Sequence, residues 1–340
     1  MKKILVTGGT GYIGSHTTVE LQSAGYEVII VDDLSNSNIG VLDNIEKITG
    51  IRPAFQQFSL ADSLKTDAFF KQNQSIDAII HFAASKAVGE SVQIPVHYYR
   101  NNLVSLMNIL DAQLKYGIAN IVFSSSCTVY GQPEKLPVTE NTPRKDAESP
   151  YGNTKRVNED MLNDSVNAYP LLKVIALRYF NPIGAHPSAL IGELPIGVPQ
   201  NLVPFITQTA AGLRDELKVF GDDYDTPDGS AIRDYINVVD LAKAHVIAIN
   251  RLLNNKNKER YEIFNLGTGN GCSVLEIVKG FEKATGKKLN YKIVARRAGD
   301  IEKIWAETTH ANRELGWKAE KNLEETLLSA WNWEKRIRNI

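Results

Sequence analysis

The apolar residues of this chain fall into short, nearly unbroken runs, set between longer stretches with helical spacing. Residues 3–7, 27–32, 76–82, 120–126 and 172–179 are such runs, and 53–60 is a weaker one. Runs of this length bounded by turn residues predict strands buried on both faces. Residues 62–74, 95–115 and 151–168 predict helices, the second carrying Tyr98, Tyr99, Asn101 and Asn102. Strand and helix alternating in this way predict a doubly wound parallel sheet, its crossovers right-handed. After Asn181 the texture changes, with Pro182, Gly184, Pro187, Gly192, Pro195, Gly197 and Pro199 close together. That places a boundary between a first domain, 1–180, and a smaller C-terminal α/β domain, 181–340. The amphipathic stretch 238–253 makes 233–260 a candidate to rejoin the first domain.

The turn after the first strand narrows the function. Gly9-x-Gly11-x-x-Gly14 and Gly8-x-x-Gly11-x-x-Gly14 both fit a glycine turn opening a helix near Tyr12. Glycines there let the backbone approach a pyrophosphate at the positive end of that helix, the Rossmann arrangement. Glycine turns before helices also serve packing alone, so the motif needs its context. Asp32 supplies it, ending the second strand about twenty residues on. A carboxylate there accepts from both adenine-ribose hydroxyls and repels a 2′-phosphate, which favours NAD over NADP. A phosphate-binding P-loop would need Lys at position 15, where Ser15 stands, followed by His16.

Composition excludes more than it adds. The chain has 340 residues, 43% hydrophobic, and a net charge of −1, with no long basic run to hold nucleic acid. No apolar run reaches the ~18 residues of a membrane span. Met1-Lys2-Lys3 leads into an apolar stretch that Gly8-Gly9 interrupts, unlike a signal peptide. Cys127 and Cys272 form no CxxC pair and are expected as free thiols in a cytoplasmic protein. The six histidines show no HxxH or HxxxH spacing, so no metal site is expected.

Chemistry concentrates in Ser124-Ser125-Ser126 and Tyr151-Gly152-Asn153-Thr154-Lys155. Tyr151 and Lys155 share a helical face. A phenol with pKa near ~10 is a poor base at neutral pH, and a nearby ammonium is expected to lower it. Ser126, at a strand end, is placed to hold a substrate hydroxyl that the phenolate deprotonates. The same spacing recurs at Tyr169-x-x-x-Lys173, but Pro170 follows at a helix end, so that pair shares no face.

With the glycine turn and Asp32, these residues resemble the extended short-chain dehydrogenase/reductase family, and within it the UDP-glucose 4-epimerases. The likeness runs nearly end to end. It is carried by residues 6–16, by Lys86-Ala87-Val88-Gly89-Glu90-Ser91, by Ser124 to Gly131, by Arg178-Tyr179-Phe180-Asn181-Pro182 and by Gly184-Ala185-His186-Pro187. Arg233-Asp234-Tyr235-Ile236 and Arg296-Arg297-Ala298-Gly299-Asp300 complete it. The resemblance implies reversible inversion at C4 of a UDP-hexose in galactose metabolism, by a redox-neutral cycle through a 4-keto sugar, in a homodimer pairing helices 95–115 and 151–168. It assigns Tyr151, Lys155 and Ser126 to catalysis. It assigns NAD to Gly8, Gly11, Tyr12, Ile13, Gly14, Asp32, Asn36, Ser59, Leu60, Phe82, Lys86, Asn101, Ser126, Tyr151, Lys155 and Phe180. The UDP-sugar falls to Lys86, Ser126, Tyr151, Asn181, Asn201, Leu202, Phe220, Arg233, Tyr235, Arg297, Asp300 and Ile304. Arg233 and Arg297 suit a diphosphate through paired N–H contacts. Asp300 would accept from the uridine ribose and Phe220 would flank the base.

Two positions depart from the family pattern. Ser59 stands where a carboxylate commonly meets the adenine amino group, which implies looser NAD retention. Ile304 stands where relatives carry Tyr or a small residue, which implies main activity on UDP-glucose and UDP-galactose with side activity on UDP-N-acetylhexosamines. A sugar-nucleotide 4,6-dehydratase would need a carboxylate pair beside Ser126, where Cys127, Thr128 and Val129 stand. Cys127 reads as a packed thiol rather than a nucleophile. An NAD-binding sensor or scaffold is the alternative from another class, and would be expected to have lost Ser126, Tyr151 or Lys155.

Overall fold

The structure is a computed structural model that describes residues 1–297 and 300–340; Ala298 and Gly299, inside the 296–300 motif, lie outside the described residues. The first half alternates as its periodicity predicts. Strand β1 (Lys3–Thr7), helix α1 (Tyr12–Ser23), β2 (Glu27–Asp32), α2 (Val41–Thr49), β3 (Ala54–Gln57), α3 (Ser63–Gln72) and β4 (Ile76–His81) come first. Next are α4 (Val88–Gln93), α5 (Pro95–Tyr116), β5 (Asn120–Ser126), α6 (Pro150–Ala168) and β6 (Lys173–Tyr179). Helices α2 and α4 go beyond the sequence expectations. The first carries a signal in Leu42 and Ile45, both buried, and in Gly50, which closes it in the left-handed region. The second has six residues, too few to show a period.

The remainder is β7 (Asn181–Ile183), α7 (Leu202–Ala210), β8 (Leu217–Phe220), β9 (Ile232–Asn237), α8 (Val238–Leu253), β10 (Tyr261–Leu266), β11 (Gly271–Ser273), α9 (Val274–Thr285), β12 (Tyr291–Val294), β13 (Lys303–Ile304) and α10 (Leu323–Arg338). The large sheet has the order β3-β2-β1-β4-β5-β6-β10, and every pairing in it is parallel. The strand order turns back at β1, so a crevice opens between β1 and β4 at the carboxyl edge, where such sheets bind ligands. Thr7 lies beside Val31 and His81, and Ser126 beside Tyr179. Gly8, Asp32, Phe82, Ser126 and Phe180 therefore all reach that edge.

Alternate strand positions feed two cores. Ile4, Val6, Ile30, Ile80 and Val122 pack with Leu241, Ala244 and Ala248 of α8, while Leu5, Ile79, Ile121 and Phe123 pack with Leu106, Ile109, Leu162 and Val166 of α5 and α6. Both faces are covered, so the strands read as unbroken apolar runs. The residues that return to this lobe are α8 and β10, whereas β9 lies in the second lobe between β11 and β13 and also pairs β7. That lobe has its own core of Ile183, Val203, Ile206, Ile277, Phe281 and Trp331.

Candidate active site

The turn after β1 presents bare backbone. Gly8 has φ +69° and donates its N–H to the Val31 carbonyl at 2.8 Å. A Cβ on Gly14 would stand 2.2 Å from the Gly8 oxygen. Gly11 is the N-cap of α1 and gives no side-chain cap, so the first-turn N–H groups keep their capacity for an anion. Asp32 is buried and held: Oδ1 accepts from the Leu34 N–H at 2.9 Å and the Ser37 hydroxyl at 3.2 Å, and Oδ2 from the Thr10 N–H at 3.2 Å. A carboxylate offers about four acceptor sites, so Oδ2 retains one. Cradle, uncapped helix and anchored acid fit a dinucleotide. Ile13 packs on the core below, and Asn36 is exposed on the loop beyond Asp32.

Ser59 turns inward on its own loop, its Oγ accepting from the Ala61 N–H at 3.3 Å, while the carbonyl of buried Leu60 accepts from Asn108 at 2.7 Å. A hydroxyl engaged in this way is a weak acceptor for an amino group. Ser59→Asp is expected to slow NAD dissociation several-fold, since charge-assisted bonds are about twice as strong as neutral ones. Dissociation rates of the two purified proteins check this, and equal rates would refute it.

Ser149 caps α6, accepting from the Gly152 N–H at 3.1 Å, with Pro150 in the first turn. Helix α6 is thereby started where Tyr151 and Lys155 face the end of β5. Lys155 is buried and donates from Nζ to the Ser124 carbonyl at 2.6 Å; Nζ stands 5.9 Å from the centre of the Tyr151 ring and 5.0 Å from that of Phe123. Burial lowers the Lys155 ammonium to about 7, against a raising effect from Glu159. Burial raises the Tyr151 phenol to about 12, with Ser126 as the hydrogen-bonding group that opposes it. The expected depression of the phenol by Lys155 is thus not what the protein groups produce by themselves. Enclosure is the largest influence on the phenol, and the Lys155 ammonium is turned toward the Ser124 carbonyl. Ser126 is buried and its Oγ accepts from the Thr128 N–H at 3.2 Å. Burial also raises the Cys127 thiol to about 12, which leaves it unreactive, and both cysteines are unpaired. His81, beside Thr7 at 2.9 Å, is held near 3 by burial and then by Lys155, so it is neutral.

The lobes meet across the crevice. Tyr12 donates its hydroxyl to the Gly184 carbonyl at 2.7 Å. Lys86 pairs with Glu193 at 3.1 Å and lies 5.9 Å over the Tyr12 ring, and Asn201 donates to the same Glu193 oxygen at 2.6 Å. Glu193 was absent from the sequence expectations; a lone acid in a loop carries no signal of its partners. Leu202 follows as the first residue of α7. Asn101 reaches the Ser85 hydroxyl at 3.2 Å, but its neighbour Asn102 holds that loop, accepting from the Ser85 N–H at 2.8 Å and donating to Thr154 of α6 at 3.0 Å. Phe82 packs against His245 with ring centres 4.7 Å apart.

The second-lobe residues gather on one sheet. Asn181 of β7 lies beside Tyr235 of β9, and Arg233 beside Ile304 of β13. Asp300 accepts from Arg233 at 3.1 Å and from Arg297 at 3.0 Å, and Arg297 lies 5.7 Å over the half-exposed Phe220 ring. Two guanidiniums against one carboxylate leave one net positive charge, suited to a diphosphate. Both arginines donate to Oδ1 of Asp300, and its Oδ2 accepts no hydrogen bond among the described residues. Ile304 is buried with Cys127, Val129 and Phe180, which joins this sheet to the turn after Ser126. No helix among the described residues is long and apolar enough to cross a membrane.

A family model described as GDP-mannose 4,6 dehydratase matches residues 5–329. UDP-glucose 4-epimerase of Bacillus subtilis (strain 168) is 51% identical over 331 residues, 97% of this chain and 96% of the relative. The chain belongs to the UDP-glucose 4-epimerase family. The crystal structure of UDP-glucose 4-epimerase from Bifidobacterium longum in complex with NAD+ and UDP superposes with a TM-score of 0.95, at 46% identity, covering 99% of each chain. That of UDP-glucose-4-epimerase from Stenotrophomonas maltophila, with bound NAD and formylated UDP-arabinopyranose, gives 0.95 and 46% over 100% of this chain and 99% of the other. Membership in the UDP-glucose 4-epimerase family agrees with the residues after Ser126. Dehydration would have to remove a C5 proton and expel the C6 hydroxyl, and Cys127-Thr128-Val129 offers no carboxylate for it.

Proposed function

We propose that this chain interconverts UDP-glucose and UDP-galactose by NAD-dependent inversion at C4, through a transient 4-keto-hexose. The observation that carries this reading is Ser126, Tyr151 and Lys155 meeting at the sheet edge beside the glycine cradle, with no carboxylate following Ser126. NAD⁺, when bound, accepts the C4 hydride and returns it, and its ring charge favours the phenolate. The chain does the rest. Tyr151 takes the proton of the 4-hydroxyl, Ser126 holds that hydroxyl, and Lys155 sets the charge beside the phenol. When the keto sugar presents its other face, Tyr151 returns the proton, so proton and hydride balance over a cycle.

Gly8, Gly11, Gly14 and Asp32 hold the dinucleotide in this reading, with Tyr12, Ile13, Asn36, Ser59, Leu60, Phe82, Lys86, Asn101 and Phe180 around it. Arg233 and Arg297 hold the diphosphate, while Asn181, Asn201, Leu202, Phe220, Tyr235, Asp300 and Ile304 line the remainder. Residues 1–180 with α8 and β10 serve the cofactor, and the rest serve the UDP-sugar. Purified protein with UDP-galactose and no added cofactor tests the reading: UDP-glucose should form. Its absence with NAD bound would favour an NAD-dependent sensor or scaffold.

Ile304 sets the substrate range. It is buried against Cys127, Val129 and Phe180, shorter than a tyrosine and without its hydroxyl. The kcat/KM for UDP-glucose and UDP-galactose is expected to exceed that for the N-acetylated pair by about tenfold, the scale on which pocket contacts discriminate. A higher value for the N-acetylated pair would overturn this assignment. A cytoplasmic homodimer is also proposed, supported by the unpaired thiols and by Val96 and Met107 standing exposed on α5. Fractionation and light scattering read both directly; a monomer, or recovery elsewhere, removes them.

A further inference from the structure

Ser125 lies between the residue that holds Lys155 and the residue placed against substrate, yet its side chain turns the other way. Strand side chains alternate, so Ile121, Phe123 and Ser125 point to the face that α6 covers. There Ser125 donates to Glu159 at 2.5 Å. Glu159 is fully buried on α6, one helical turn beyond Lys155. Its carboxylate also accepts from Arg178 of β6, at 2.9 Å from Nε and 2.6 Å from a terminal nitrogen, and from Arg144 at 3.4 Å. Arg178 is held in turn by the Tyr130 hydroxyl at 2.9 Å, in the turn following Ser126.

We infer that Ser125, Glu159 and Arg178 are positioning residues that fix the register of α6 against the tip of β5, and so set the geometry of Tyr151 and Lys155. Two adjacent residues of β5 are tied to two positions of α6 one turn apart: the Ser124 carbonyl to Lys155 and the Ser125 hydroxyl to Glu159. A helix held at one point can pivot or slide along a strand. The second tie to β5 opposes both pivoting and sliding, beside the bond from Asn102 to Thr154. The forked contact of Arg178 brings β6 into the same fixture and fixes the carboxylate plane. An ion pair this deeply buried is weak evidence for stability, and a role in specifying geometry accounts better for its presence. Glu159 also supplies the charge that opposes the lowering of Lys155 by burial. None of the three contacts the reacting atoms.

The inference rests on the epimerase reading, and the test separates the two. Glu159→Gln would leave Arg178 buried against a neutral partner and endanger folding. Ser125→Ala is the cleaner variant, since Glu159 keeps both arginines. It is expected to purify with the wild-type content of NAD, a KM for UDP-galactose within about twofold and kcat lowered about tenfold, because sub-ångström misplacement acts on the chemical step. A folded Ser125→Ala with wild-type kcat overturns the inference. So does a loss of kcat that merely follows loss of NAD or of thermal stability. A wild-type chain that fails to form UDP-glucose overturns the epimerase reading and this inference with it, whereas an active wild type matched by S125A overturns this inference alone.

Discussion

Tyr151→Phe is expected to lower kcat for UDP-galactose by about 10³-fold, within the range of ~10²–10⁴ that a positioned general acid–base supplies. The substitution removes one oxygen and keeps the ring that packs beside Lys155. NAD content and KM should therefore stay close to wild type, since the loss falls on a proton transfer rather than on binding. Sign matters here. The protein groups hold the phenol at about 12 and the ammonium at about 7, both displaced toward their neutral forms by burial. NAD⁺ held by the glycine turn would supply a positive charge that pulls in the opposite direction and favours the phenolate. Steady-state rates with acid-released NAD measured on the same preparations check this. Retention of more than a tenth of wild-type kcat would remove Tyr151 from the role of base.

Gly14→Ala should act on the cofactor instead. The added Cβ would stand 2.2 Å from the Gly8 oxygen and 2.8 Å from the Gly9 Cα. Ordinary contacts lie near ~3.5 Å, so α1 would have to withdraw by about an ångström. Neither obstacle is a flexible side chain. Gly8 is tied to Val31 at 2.8 Å and lies so close to the loop after β4 that a Cβ on it would meet the Ala83 nitrogen at 2.8 Å. The expected result is a chain that purifies with little NAD and is destabilised by about 1–3 kcal/mol, the usual cost of overpacking. Gly25→Ala is the control: unlike Gly14 it has positive φ, at +83°, and a Cβ there meets nothing within 4 Å. It should lose a little stability and keep its NAD. Equal NAD content in the two variants would refute the cradle.

Features that depend on neighbours in the chain were legible in the amino-acid order. The alternation of apolar runs gave the strand sequence β1 to β6, because a strand buried on both faces has few residues to choose from. Pro170, at the end of the helical stretch 151–168, separates Tyr151 and Lys155 from the same spacing at Tyr169 and Lys173. Tyr169 indeed closes α6 in an extended conformation, with Lys173 already in β6. The glycine turn and Asp32 were legible for the same reason, being one local unit of strand, turn and helix.

Tertiary structure decided the partners of each charge. Lys86 and Glu193 are 107 residues apart, and no period links them. Asp300 meets Arg233 from 67 positions away, a pairing that no local pattern records. Tyr151 was expected to be acidified by its neighbour, but the enclosure that only packing creates raises it. Strand β10 joins the first lobe from beyond residue 260, since a sheet edge recruits by backbone hydrogen bonds that any sequence can make. Side-chain spacing records which face of a helix or strand is buried. The dielectric around a side chain, and the charge that meets it there, arise only when distant segments close over it.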